Sequence, residues 1–194
     1  MATKPKQGTI AYIDGANLHK GVQNLGWALD YRRFRGWLRD KYGVETAYLF
    51  MGLIPANKDL YTRLQEDGYV LVYKEISYDG EGKVKGNCDS ELVLKATVDF
   101  FEGRLKEMVL ISGDGDYAGL VSFLKEKDVF KSLVSPNNKC SFLLRKLNIS
   151  IVYLDMVKGK VMSQKKKAPD EDGPRQGLFH GDTYRIPKHS QKST

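Results

Sequence analysis

The chain has 194 residues, 41% of them hydrophobic and 11% aromatic, which is enough for one buried core with some sequence to spare. It contains no run of about 18 apolar residues and no signal-peptide pattern, which argues against membrane-spanning and secreted classes, so we expect a soluble cytoplasmic protein. The two cysteines, Cys88 and Cys140, are too few for a disulfide framework or a four-cysteine zinc site, and both are expected to be reduced.

Apolar runs bounded by turn residues alternate with helical patterns along most of the chain. Strands are predicted at 9–13, 46–51, 69–73, 108–111, 130–134 and 149–153. Helices are predicted at 31–41, 58–67, 89–101, 116–127 and 139–147. This alternation is typical of a three-layer α/β fold with a mostly parallel central sheet.

The apolar periodicity stops near Lys160. Residues 159–194 hold eight Lys and Arg against four Asp and Glu, and so contribute +4 of the net charge of +7. A domain at 7–157 is therefore predicted, followed by a flexible basic tail at 158–194. The lysine cluster at 165–167 fits an electrostatic funnel for a polyanion as well as it fits a solvated run.

Four aspartates occupy the ends of predicted elements. Asp14 ends the first strand, and Asp114 and Asp116 follow the fourth; because the carboxyl ends of parallel strands meet at one edge, these three can share it. Asp89 begins a helix within about 60° of its apolar stripe, so its carboxylate needs a partner. Each also has a structural interpretation as a turn residue, an ion pair or a cap, and Asp116 in particular could cap the next helix.

Clustered carboxylates predict a metal site. Two unit charges about 4 Å apart repel by about 4 kcal/mol at an effective dielectric of 20, and a divalent cation removes that cost. Mg²⁺ or Mn²⁺ held by carboxylates could activate a water molecule and neutralise the negative charge on a phosphodiester. Asp14, Asp114 and Asp116 are the best candidate ligands, and Asp89 is either a ligand or the group that orients the water.

Other residues are candidates for substrate contact. Lys85, Ser112 and Ser135 could touch phosphate, although a solvated lysine and turn-forming serines are common alternatives. Tyr78 and Tyr117 could stack on bases, and Tyr117 fits the core equally well.

Neighbouring residues are predicted to be peripheral. Glu91 and Lys95 point away from the stripe of their helix and are expected to be solvated, and the loop at 79–83 is expected to be mobile.

The three histidines are too scattered for a zinc site or a triad. A dinucleotide fingerprint at 113–118 is rejected, since its aspartates would repel a pyrophosphate.

Three motifs together resemble one family. YIDGANL at 12–18, KGNCD at 85–89 and LISGDGDY at 110–117 are similar, in this order and spacing, to the NYN domain, a relative of the PIN and FLAP-type nucleases. The resemblance covers roughly 7–157. It implies a Rossmann-like PIN fold and a divalent-metal-dependent ribonuclease acting on single-stranded RNA.

The same resemblance assigns residues to the site. It implies an acidic cluster of Asp14, Asp89, Asp114 and Asp116, with Asn17 as a polar positioner in the same pocket. Some relatives carry an acid where this chain has Lys95, which argues against a full second metal site unless Asp99 substitutes.

Two other functions stay open from the sequence. The lysine at 95 favours a non-catalytic RNA-binding or regulatory module that keeps the acidic pocket. A phosphatase-like enzyme acting on a small phosphoester is a further alternative. The sequence also leaves open whether the chain forms a homo-oligomer.

Overall fold

The structure is a computed structural model, and it describes residues 7–74, 77–78, 84–85 and 88–163. The strands are β1 Gly8–Asp14, β2 Val44–Gly52, β3 Val70–Lys74, β4 Ser77–Tyr78, β5 Val84–Lys85, β6 Leu105–Ile111, β7 Phe130–Ser135 and β8 Ile151–Tyr153. The helices are α1 Gly15–Gln23, α2 Tyr31–Tyr42, α3 Lys58–Glu66, α4 Asp89–Phe101, α5 Ala118–Glu126, α6 Phe142–Arg145 and α7 Lys158–Val161. Short 3-10 turns lie at Pro55–Asn57, Gly115–Tyr117 and Leu154–Val157.

Six strands form one parallel sheet in the order β3-β2-β1-β6-β7-β8, while β4 and β5 pair separately as an antiparallel ribbon. The chain winds outward from β1 in one direction and then outward from β6 in the other. In such doubly wound sheets the ligand crevice lies at the carboxyl ends of the strands, where the direction reverses. That point is between β1 and β6, so the loops that follow Asp14 and Ile111 lie side by side there.

Helices cover both faces of the sheet. Because side chains alternate along a strand, Ala11 and Ile13 of β1 pack with α1, α2 and α3, whereas Ile10 and Tyr12 pack with α4, α5 and α6. The predicted three-layer α/β fold is confirmed, with a sheet of six strands that are all parallel.

Two predicted helices are shorter than expected by more than one residue, and two helices, α1 and α7, were not predicted. The helix predicted at 139–147 is only Phe142–Arg145, because the backbone N–H of Ser141 donates to the carbonyl of Gly113 at 2.9 Å and Ser141, with ψ 140°, is the cap before the helix. The helix predicted from 116 begins at Ala118, after a 3-10 turn. Helix α1 was not predicted because Leu18 and Val22 are its only buried apolar side chains, which is too few to give a visible helical pattern in the sequence.

The folded chain continues past 157, where the domain was predicted to end. Val161 of α7 is buried, its carbonyl accepts from the N–H of Asp30, and Met162 pairs with Leu29 in an isolated antiparallel bridge. Residues 164–194, including the lysine cluster, and the loop at 79–83 lie outside the described residues, so the division into domain and tail stays a prediction. Within the part of the chain that the structure describes, no helix is long and apolar enough to cross a membrane.

Candidate metal centre

Three carboxylates converge at the point where the sheet order reverses. Asp89 is the first residue of α4, and Asp114 and Asp116 lie in the loop after β6. One oxygen from each lies within 4.8 Å of the others. Asp89 and Asp114 are half-buried and Asp116 is exposed, so the cluster is open to solvent on one side. Three of the four predicted acidic residues are therefore brought together.

The loop after β6 is shaped by its own aspartate. Asp114 Oδ1 accepts from the backbone N–H of Asp116 at 3.1 Å. The cap of the 3-10 turn is therefore Asp114, whereas the sequence had suggested Asp116 as a helix cap. Gly115 approaches Ser141 so closely that a Cβ there would lie 2.4 Å from Ser141 Oγ. The two acids are thus held on a tight turn that is packed against the start of α6.

Asp14 lies behind the three converging carboxylates and is not part of their 4.8 Å group. Its side chain is buried; Oδ1 accepts from Asn17 N–H at 3.0 Å and caps α1, while Oδ2 accepts from Ser112 Oγ at 3.2 Å. Burial raises the pKa of Asp14 to about 6, and the charge of Asp89 adds to the rise, although hydrogen bonds from the Asn17 N–H and the Ser112 hydroxyl oppose it.

Tyr117 links the buried acid to the open cluster. Its hydroxyl lies 3.2 Å from Asp14 Oδ2 and donates to Asp89 Oδ1. The ring is fully buried, and this burial, together with the charge of Asp14, raises the pKa of the phenol far above its ordinary value, so the hydroxyl stays a neutral donor. Base stacking by Tyr117 is excluded by this burial, and the core interpretation is confirmed. Sequence reasoning missed the bridge, whose only signal was the tyrosine directly after Asp116.

Polar side chains tie the loops after β1 and β6 together. Asn17 Oδ1 accepts from Gly113 N–H at 2.9 Å, which places Asn17 beside the cluster loop, and its role as a polar positioner stays a prediction. Ser112 Oγ accepts from Asp114 N–H at 3.1 Å, and Ser135 Oγ donates to the carbonyl of Asn137 at 2.7 Å. Both serines are fully buried, which argues against the predicted phosphate contacts and favours a supporting role.

Sulfur does not add to the donor set. Burial and the nearby charge of Glu91 raise the pKa of the Cys88 thiol to about 12, so it is neutral beside Asp89. Cys88 and Cys140 are free thiols, as expected. The side chains of Lys85 and Tyr78 lie outside the described residues, so their substrate contacts stay predictions.

Lys95 and Asp99 belong to a buried charge network rather than to the metal centre. Lys95 Nζ lies 2.6 Å from Asp99 Oδ1 and 4.4 Å from the centroid of the Tyr48 ring, so the expectation of a solvated lysine is wrong. Asp99 is fully buried, accepts from Tyr12 and Arg104, and lies about 15 Å along α4 from Asp89. It cannot substitute as a ligand at the acidic cluster.

The family model described as "NYN domain" matches residues 9–153. The chain belongs to the NYN domain family. The family has a PIN-like, nuclease-like fold, and the acidic cluster described above lies at the carboxyl edge of the parallel sheet.

The chain is similar to two other proteins, one by sequence and one by structure. The chain is 28% identical over 182 residues to the low amplitude and bright protein LabA of Synechococcus elongatus, covering 88% of this chain and 94% of LabA. It also resembles the crystal structure of VPA0982, a protein of unknown function from Vibrio parahaemolyticus, with a TM-score of 0.65 and 19% identity, over 84% of this chain and all of that one. The second likeness supports the fold.

Proposed function

We propose that this NYN domain is a divalent-metal-dependent ribonuclease that hydrolyses phosphodiester bonds of single-stranded RNA. The observation that supports this most is the convergence of Asp89, Asp114 and Asp116 within 4.8 Å at the carboxyl edge of the sheet. Like charges so close are unfavourable unless a cation binds between them. A purely structural explanation, capping, accounts for Asp114 but not for Asp89 or Asp116.

The donor set fits a hard cation. The three converging groups are carboxylates, one side of the cluster is open to water, and the neighbouring thiol is protonated. Mg²⁺ and Mn²⁺ take carboxylate and water oxygens, whereas Zn²⁺ sites usually contain His or Cys. Asp89, Asp114 and Asp116 would hold the ion, with Asp14 behind them.

The chain's own residues have distinct tasks in this proposal. Bound Mg²⁺ or Mn²⁺ supplies charge neutralisation at the phosphodiester and lowers the pKa of a water. Asp89, whose Oδ1 is held by the Tyr117 hydroxyl, would be a ligand of the ion with a fixed orientation. Because Asp114 Oδ1 accepts a hydrogen bond from the backbone N–H of Asp116, Asp114 Oδ2 is the oxygen that would bind the ion.

Replacing Asp114 by asparagine is expected to lower metal-dependent cleavage by about 100-fold or more, because it removes a charged ligand while Asn Oδ1 still caps the turn. End-labelled single-stranded RNA and DNA are incubated with Mg²⁺, Mn²⁺ or a chelator, and cleavage rates are compared.

Asp128→Asn is the matched control. Asp128 is exposed before β7, at the opposite edge of the sheet, and its φ of 56° is one that asparagine tolerates well. Cleavage that survives chelation, or that is equal in the Asp114 variant and the wild type, would overturn the proposal.

Tyr117→Phe is expected to reduce cleavage and Mn²⁺ affinity by about 10- to 100-fold, since the variant loses the hydroxyl that orients Asp89 but keeps the buried ring. Mn²⁺ affinity is measured by calorimetry alongside the cleavage rate. Tyr69→Phe removes another buried hydroxyl, one that donates to the carbonyl of Tyr31, and should change stability without changing Mn²⁺ affinity. Equal losses of Mn²⁺ affinity in both variants would show that Tyr117 has only a packing role.

The non-catalytic alternative is weakened by the position of Lys95. Its side chain pairs with Asp99 and lies over Tyr48, so a lysine at 95 is explained by the helix-to-sheet packing without any loss of activity. RNA binding without cleavage, in the presence of either metal, would favour that alternative.

A further inference from the structure

An exposed apolar pair lies at the start of α6 that the proposed reaction does not use. Phe142 is 67% exposed and Leu143 is 44% exposed, although Leu144 of the same turn is buried in the core. Phe142 is the first residue of a helix that is only four residues long and is capped by Ser141. The packing of this helix therefore does not explain why the ring is exposed. Exposed aromatic side chains of this kind mark binding surfaces more often than isolated aliphatic ones do.

This pair lies directly beside the acidic cluster. The N–H of Ser141 donates to the carbonyl of Gly113 at 2.9 Å, and a Cβ on Gly115 would lie 3.2 Å from Leu143 Cδ1. Gly113 and Gly115 flank Asp114 and precede Asp116. The start of α6 therefore borders the loop that supplies two of the three converging carboxylates.

The chain segment that contains Phe142 carries positive charges and no negative ones. Between residues 136 and 154 the chain has no Asp or Glu, and its three basic residues, Lys139, Arg145 and Lys146, are all exposed. Arg145 and Lys146 follow Phe142 by three and four residues and so lie on the same side of the helical turn. Lys125 adds a fourth cation, with Nζ donating to the carbonyl of Leu147 at 2.6 Å.

We propose that Phe142, Leu143, Arg145 and Lys146, here called the α6 platform, bind single-stranded nucleic acid next to the acidic cluster. Phe142 stacks on a base, Leu143 supports the base or sugar, and the two cations pair with backbone phosphates. This inference rests on the proposed function, because it concerns how the substrate of that site is held.

Charge complementarity selects this occupant. An open group of three carboxylates repels a polyanion, so a nucleic acid can reach it only if cations close by neutralise the flanking phosphates. Proteins that bind single-stranded nucleic acid combine cations with aromatic rings in this way, because an unpaired base offers its face for stacking. In a duplex that face is covered by neighbouring bases, which is why the platform favours single strands.

Binding is measured by fluorescence anisotropy with labelled single-stranded oligonucleotides of about 12 nucleotides, within the usual site sizes, in a chelator so that nothing is cut. Phe142→Ala and Phe142→Leu are expected to weaken binding by roughly 5- to 150-fold, whereas Phe142→Trp retains it. Phe101→Ala is the control, since Phe101 is 73% exposed at the opposite end of α4, away from the cluster.

Two further measurements locate the contact. Arg145→Gln should reduce the slope of log affinity against log salt by about 1, while Arg39→Gln on α2 should leave the slope unchanged. An oligonucleotide carrying 5-iodouridine should cross-link to the tryptic peptide that spans residues 140–145, because an iodinated base reacts with the aromatic ring it stacks on.

The outcomes separate the platform from the reaction. Equal affinity in the wild type and all Phe142 variants, absence of binding by the wild type, or a Phe142-dependent self-association with unchanged nucleic-acid affinity would each overturn the platform. Phe142-dependent binding without any metal-dependent cleavage would keep the platform and overturn the nuclease. Metal-dependent cleavage whose KM does not respond to Phe142 would do the reverse.

Discussion

Asp14→Asn is expected to stabilise the metal-free protein by about 1 to 3 kcal/mol at pH 7.5. The wild type must ionise a buried carboxylate whose pKa is raised to about 6, mainly by burial. A shift of about 2 pKa units corresponds to about 3 kcal/mol, which is the upper limit of the gain. Asparagine keeps the cap on α1 through Oδ1, and the Ser112 hydroxyl can rotate to accept from the new amide.

The sign of the pH dependence follows from the direction of that shift. Because the folded state holds the Asp14 proton more tightly than the unfolded state, the contribution of Asp14 to stability is largest below pH 4 and is lost as pH rises to about 6. The asparagine variant has no such loss. The difference between the two proteins should therefore be close to zero at pH 4 and reach a plateau above pH 6.

Urea unfolding of both proteins in a chelator, from pH 4 to pH 8, measures this difference, and other titrating groups cancel in the comparison. Mn²⁺ should then stabilise the wild type more than the variant, because a bound cation offsets the buried charge. A difference that is constant with pH, or an asparagine variant that is less stable at pH 7.5, would contradict a raised pKa for Asp14.

Asp99→Ala is expected to destabilise the protein by roughly 3 to 5 kcal/mol, the cost of breaking a buried ion pair by removing one partner. Tyr12 would lose the acceptor that lies 2.9 Å from its buried hydroxyl, and Lys95 and Arg104 would lose the carboxylate between them. For a folded unit of this size the loss lowers the Tm by roughly 10 °C, at about 2 to 4 °C per kcal/mol.

Asp40→Ala is the matched comparison. Asp40 pairs with Arg39 at 2.9 Å, but the side chains of Asp40 and Arg39 are 68% and 69% exposed, so the expected cost stays below about 1 kcal/mol. Thermal unfolding of both variants at pH 7.5 tests the contrast. Similar shifts in Tm would mean that the Asp99 network contributes no more than a surface pair.

Acid should weaken the Asp99 network. Burial alone would raise the pKa of Asp99, but hydrogen bonds from Lys95, Arg104 and Tyr12 outweigh it and hold the pKa below its ordinary value. The contribution of this carboxylate is present above the unfolded pKa, near 4, and is lost as pH falls through the lower folded pKa. The Asp99→Ala deficit should shrink in the same range.

The sequence predicted the parts of the site that depend on strand ends. Because Asp14 and Asp114 follow buried apolar runs, a parallel sheet brings them to one edge whatever the details of the helices. The apolar stripe of α4 likewise placed Asp89 at a buried margin. Those patterns depend on local periodicity, which a single sequence displays.

The rest depends on contacts between distant residues. Nothing near Tyr117 indicates that its hydroxyl meets Asp14 and Asp89, which lie 103 and 28 residues away along the chain. Lys95 and Asp99 have the spacing of a helical ion pair, but its burial follows from Tyr12 on β1, far from both in sequence. The short α6 likewise follows from the hydrogen bond between Ser141 and Gly113.

The division of labour between the two oxygens of Asp114 has a consequence for how this protein can change over generations. One oxygen accepts from the backbone of Asp116, a task that an amide oxygen performs equally well. A single-base exchange from aspartate to asparagine would therefore abolish the negative charge while the turn persists. If selection for that charge were relaxed, a descendant with an intact fold and no activity would lie one tolerated substitution away, and no intermediate on that route would have to unfold.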